Sequence, residues 1–107
     1  MKVNVTIFPV VAANVVWRKV DAHAINGHND RTYNDVPTAD QCKQYCLDET
    51  GFECRSVDYD ARSSRTCYLS TATQATVGAD FSAQWTSFEY YDYTEDDGSN
   101  TENANGG

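Results

Sequence analysis

Basic residues are scarce in this sequence, with 8 Lys plus Arg against 16 Asp plus Glu in 107 residues. The resulting net charge of −8 argues against nucleic acid and heparin as partners, which are held by basic surface and counterion release. Long apolar runs are missing too. The longest, near residues 10–17, is interrupted by Asn14, so nothing approaches the ~20 residues of a membrane-spanning helix and no membrane insertion is expected. A nucleophile motif is also absent: His23 and His28 have no cysteine or serine nucleophile beside them in sequence. No catalytic residue, cofactor or enzyme activity is therefore expected. What the chain does have is aromatic content of 12%, including seven tyrosines, too much for a disordered chain. Its length is that of one compact domain.

The acids are placed unevenly. Residues 89–107 hold Glu89, Asp92, Glu95, Asp96, Asp97 and Glu102 and no base, which leaves residues 1–88 with 10 acids and 8 bases, close to balance. Residues 94–107 contain no aliphatic side chain larger than Ala and read as an acidic disordered tail or linker. An EF-hand register ending at Gly98 would put Tyr93 at the first ligand position, so no metal site is expected there. Residues 1–14 form a separate segment. Val3, Val5 and Ile7 alternate as in a short strand, while Val11-Ala12-Ala13 resembles a signal-peptidase site. Strand or leftover linker is the preferred reading, because Asn4, Thr6 and Pro9 break the apolar region. Asn4-Val5-Thr6 is a glycosylation sequon that matters only if the chain is secreted.

The middle of the chain has the clearest periodicity. Thr38 can cap a helix, with Gln41 three residues on as its capping-box partner. Cys42, Tyr45, Cys46 and Glu49 continue an i, i+3, i+4, i+7 stripe, and Gly51 offers a left-handed C-cap. The spacing predicts one helix over about 38–50. Beyond Gly51 the period becomes two, through residues 52–59, and Asp60–Arg65 is a polar turn before a second short strand at 66–70. Together these make a hairpin. Residues 15–20 and 85–93 read as further strands, and 71–80 as a long polar loop. The expected class is α+β, a single α-helix packed on an antiparallel β-sheet.

The cysteine spacing is C-x3-C-x7-C-x12-C. Zinc sites also open with closely spaced cysteines, but Cys42 and Cys46 lie inside the helix and neither histidine is near them. An even count in a chain this short points to disulfides and an oxidising compartment. Of three possible pairings, chain direction selects the nested one. Cys54 follows the turn at Gly51 and should lie beside the C-terminal half of the helix, hence Cys46–Cys54. Cys67, across the hairpin, should approach the N-terminal half, hence Cys42–Cys67.

Trp17 leading into a strand, Thr38-x-x-Gln-Cys42-x-x-x-Cys46, Phe52-x-Cys54-Arg-Ser-Val-Asp-Tyr59, Cys67-Tyr-Leu-Ser70 and Phe88-Glu-Tyr-Tyr91 together resemble a PAN/apple domain over about residues 15–93. The resemblance implies a disulfide-stapled, curved antiparallel sheet of five to six strands wrapped on one helix, with the same nested bridges. Many apple domains add a third bridge between their termini. This chain has no cysteine near Trp17 or Tyr91, and so is similar to the four-cysteine variety exemplified by the N-terminal domain of hepatocyte growth factor. The heparin binding of that domain is not carried over to this acidic chain.

The function implied is a secreted, non-catalytic extracellular module that recognises a protein or a glycan. The alternative is a structural subunit of an extracellular fibre or adhesive coat, self-associating by strand addition through residues 3–11. Tyr, Arg and Trp are the types enriched at binding hot spots. Tyr33, Tyr59, Trp85 and Tyr91 are accordingly one candidate ligand surface, and Arg62 with Arg65 in the hairpin turn is another. The competing reading is that a tyrosine in a small sheet is half-buried core.

Overall fold

A computed structural model describes residues 14–96. The chain runs through β1 (Asn14–Asp21), β2 (His23–Ile25), β3 (Arg31–Tyr33), α1 (Ala39–Asp48), β4 (Ser56–Asp60), β5 (Cys67–Ser70), α2 (Gln74–Val77), a single 3-10 turn at Gly78–Asp80, β6 (Phe81–Ala83) and β7 (Phe88–Asp96). Five strands form one sheet in the order β1-β7-β4-β5-β3, and β2 with β6 forms a two-stranded ribbon. The pairs β3–β5, β4–β5, β4–β7 and β2–β6 are antiparallel. The fold is α+β and disulfide-stapled, as the spacing predicts. The segments 3–11 and 97–107, with Asn4, lie outside the described residues.

The main helix starts where its sequence says. Thr38 is the N-cap and its hydroxyl accepts from the Gln41 N–H at 3.1 Å. It ends sooner than expected, at Asp48, with Glu49 in extended conformation as the C-cap. Gly51 does not take a left-handed φ; among the glycines of the described residues only Gly27 and Gly78 do. The Glu49 carboxylate accepts from the Gly51 N–H at 2.9 Å instead, so a side chain turns the chain where a glycine was expected to. The polar loop over 71–80 also departs from expectation. It winds into α2 and the 3-10 turn, with the Thr73 N–H donating to the Thr76 hydroxyl at 2.9 Å. At the other end β7 runs to Asp96, so residues 94–96 of the expected tail are strand.

Residues 18–92 form one compact unit, and Trp17 and Tyr93 belong to a second, the end unit. In the end unit, the Trp17 and Tyr93 rings lie 4.8 Å apart, tilted by 58°. In the larger unit the faces of the sheet follow from one bridge. Cys67 is joined to Cys42 of α1, so Tyr59 opposite Cys67, Val57 opposite Leu69, and Tyr91 opposite Val57 look toward the helix. These residues, with Cys42 and Cys46, make up much of the buried core. Cys46 is joined to Cys54. Each bridge contributes on the order of 2–4 kcal/mol, in large part by restricting the unfolded chain.

The opposite face of the sheet is covered too. The Ile25 N–H of β2 donates to the Asp58 carboxylate at 3.2 and 3.3 Å, and Phe81 of β6 meets the Tyr90 ring edge-on at 4.7 Å. The Tyr90 hydroxyl accepts from the Gln74 N–H of α2 and donates to Asp92, both at 2.7 Å. Because α1 covers one side and the ribbon and α2 the other, all five residues of β4 are buried.

Candidate functional site

At one end of the sheet, two loops and the turn after β1 are laced together mainly by backbone. The Ala61 N–H donates to the Ser87 carbonyl at 2.7 Å, the Ala22 N–H to the Phe88 carbonyl at 2.8 Å, and the Gln84 N–H to the Ala22 carbonyl at 2.8 Å. The β4–β5 turn is built on Asp60, whose carboxylate accepts from the Ser63 N–H (3.1 Å), the Ser64 N–H (3.2 Å) and the Ser64 hydroxyl (3.0 Å). Burial pushes the Asp60 carboxyl up, but these donors outweigh it and hold it below the ordinary carboxylate range. Hydrogen bonds to the charged form act in that direction. Ala22 and Arg65, at φ 58° and 55°, take left-handed backbone that is uncommon outside glycine.

Two side chains stand out on this end. Trp85 in the β6–β7 loop is 74% exposed. At the next residue in the chain, the Thr86 hydroxyl accepts from the Arg62 guanidinium at 2.8 Å. Arg65, three residues on, is turned elsewhere and donates to the Pro37 carbonyl at 2.8 Å. The basic turn read from the sequence is thus two separate arginines, of which Arg62 keeps company with Trp85.

The electrostatic setting sharpens the contrast. Arg18 pairs with Asp92 (2.8 Å), Lys19 with Asp21 (3.2 Å), Arg31 with Glu49 (3.3 Å), Lys43 with Asp40 (3.4 Å) and Arg55 with Glu53 (3.2 Å). Among the described residues, Arg62 and Arg65 alone of the Lys and Arg side chains have no carboxylate partner within 4 Å. In a chain with twice as many acids as bases, that is the less expected outcome.

The tyrosines fare differently from the reading that put them on a ligand surface. Tyr59 is 2% exposed and its hydroxyl donates to the Val36 carbonyl. Tyr91 is buried, donates to Glu89 at 2.6 Å and lies under the Lys43 ammonium, 4.5 Å from the ring centre. Both belong to the core, because the helix face of the sheet faces α1 and they lie on it. Tyr33 is half-buried, stacked on Tyr45 of α1 at 4.2 Å with ring planes 9° apart, and so sits at the helix rather than beside Trp85. Thr86, which positions Arg62, had no signal in the sequence; Trp85-Thr86-Ser87 reads only as the start of a strand.

His28 Nε2 is 2.9 Å from an Asp80 carboxylate oxygen, and the His23 ring stacks on Phe81 at 5.1 Å. Among the described residues no group of three or more His, Cys, Asp or Glu side chains is arranged to hold a metal ion, and no helix is long and apolar enough to cross a membrane. A family model for the PAN domain matches residues 16–96. No curated protein matches the chain.

Proposed function

The chain belongs to the PAN domain family, whose members are generally protein- or carbohydrate-binding modules, and from that premise we propose a non-catalytic extracellular recognition module that contacts its ligand through Arg62 and Trp85. The observation that carries this reading is an arginine with no carboxylate partner among the described residues, joined through Thr86 to the residue before it in the chain, an indole left 74% exposed. Leaving Trp85 in water forgoes on the order of 2 kcal/mol of burial, and Trp and Arg are the types that dominate binding hot spots. The two bridges support an oxidising, extracellular setting.

A screen of the oxidised chain against a glycan array and a panel of extracellular proteins tests this reading. The ligand found should lose at least tenfold in affinity on both Trp85→Ala and Arg62→Ala, with the disulfides and the circular dichroism spectrum intact. A ligand bound equally well by both variants would overturn the assignment of this surface.

A second reading, self-association by strand addition, is favoured by one observation. β1 stands at an edge of the five-stranded sheet, with residues 3–11 leading into it. Light scattering of the chain with and without residues 1–14 tests it, and a monomer in both cases at high concentration removes it.

A further inference from the structure

The geometry points to a carboxylated sugar residue as the ligand of this surface, with its carboxylate on the Arg62 guanidinium and the apolar face of its ring on the Trp85 indole. This rests on the recognition reading above and deepens it.

The charge comes first. Arg62 is not paired with any carboxylate of the described residues, although five other Lys and Arg side chains are. One of its terminal N–H groups is committed to Thr86. A guanidinium has five N–H donors in a planar fork, so the remainder suit one carboxylate, and the Thr86 contact fixes the fork in place before a ligand arrives. The anion is a sparse one. The chain's net charge of −8 repels a densely sulfated chain but does not prevent a single carboxylate from pairing at one site.

Size and polarity decide between a sugar and a folded protein. Among the described residues the exposed large apolar side chains are Val16, Leu47 and Trp85. Trp85 is alone on these loops. A stable protein interface covers about 800 Å² of each partner and packs an apolar cluster around its anchor. One exposed indole, preceded in the chain by Gln84, whose amide donates to Ser82 at 3.3 Å, and followed by Thr86, which holds the Arg62 guanidinium, offers instead one flat platform with polar residues next to it in the chain. That pattern matches a sugar ring, which has an apolar face and a hydroxylated edge.

The test uses the full oxidised chain, titrated with 3′-sialyllactose, methyl β-glucuronide, lactose and a heparin tetrasaccharide, and read by backbone-amide NMR shifts and tryptophan emission. Shifts should be confined to residues 61–65 and 84–87, and at least one carboxylated probe should bind tenfold or more tightly than lactose. Whichever of the two acids binds identifies a sialic or a uronic source. Arg62→Gln should reduce that probe to the lactose level, Trp85→Ala should abolish binding, and Arg65→Gln should change nothing. The proposal is overturned by equal affinity for lactose, by tighter binding of heparin than of either single carboxylate, by an Arg65→Gln loss as large as that of Arg62→Gln, or by no shift with either acid. If no sugar binds while a protein ligand from the screen still depends on Trp85, only the sugar assignment falls.

Discussion

Replacing Asp58 by Asn should stabilise the domain at neutral pH. Asp58 is 4% exposed, lies on β4 beneath the β2–β6 ribbon, and accepts from the Ile25 N–H. Its cross-strand neighbours are Tyr68 and Tyr90, and among the described residues no cation pairs with it. Burial pushes its carboxyl from 3.8 up to about 7, the Ile25 N–H pulling only partly back. Between those two values the folded chain keeps a proton that the unfolded chain has released. Stability therefore falls as pH rises from about 4 to about 7 and this contribution is flat above that. A carboxyl displaced that far corresponds to about 4 kcal/mol. Asn retains an oxygen for the Ile25 N–H and has no charge to bury, but its amide N–H groups lack an evident acceptor, at a cost of about 1–3 kcal/mol. The net expectation above pH 7 is a gain of about 1–3 kcal/mol, shrinking and reversing toward pH 4. Urea denaturation of oxidised wild type and Asp58→Asn at intervals from pH 4 to 8 measures the difference curve directly. Asp60, whose lowered carboxyl works in the opposite sense by losing stability in acid, is common to both proteins and cancels. Parallel curves for the two proteins would refute the burial argument.

Two further outcomes follow from the backbone. The Cys42–Cys67 bridge spans 25 residues and Cys46–Cys54 spans 8; loop-closure entropy assigns about 3.5 and about 2.5 kcal/mol to loops of those lengths. Replacing the first pair by Ala should therefore lower urea-measured stability about 1 kcal/mol more than replacing the second, and the reverse order would show that native-state strain outweighs loop entropy. Gly27→Ala, at φ 80° with open space around it, should cost about 1 kcal/mol from backbone strain alone; an unchanged thermal melt would contradict the strain argument.

The parts of this fold legible in the sequence are those in which local chemistry and tertiary packing agree. Thr38 caps α1 because a threonine before an apolar stripe has little else to do, and the stripe is where Cys42 and Cys46 meet β5 and the chain beyond the helix. The hairpin of β4 and β5 announces itself by its turn. What escaped were β2, β3 and β6, each of three residues. Strands so short exist only through their partners, and His23-Ala24-Ile25 carries no alternation that predicts pairing with Phe81-Ser82-Ala83. Missing the ribbon meant missing the second cover over β4, and with it the burial of Asp58. The same blindness governs the site. Arg62 and Arg65 are equivalent in sequence, yet the left-handed backbone at Arg65 sends one guanidinium to Pro37 and leaves the other at Thr86. Tyr59 and Tyr91 could not be told from surface tyrosines until the register placed them on the face toward α1.

The lacing of the Trp85 end has a consequence for how such a domain can change over generations. The bonds Ala61 N–H to Ser87 carbonyl, Ala22 N–H to Phe88 carbonyl and Gln84 N–H to Ala22 carbonyl are made by atoms every residue type but proline supplies at the donor positions. The shape of the two loops is thus largely indifferent to what stands at 62, 85 and 86, while the cystines that secure the fold involve α1 and lie outside both loops. Ligand preference can drift there, one substitution at a time, without each step endangering the scaffold. A library randomised at those three positions should return mostly folded, differently selective proteins.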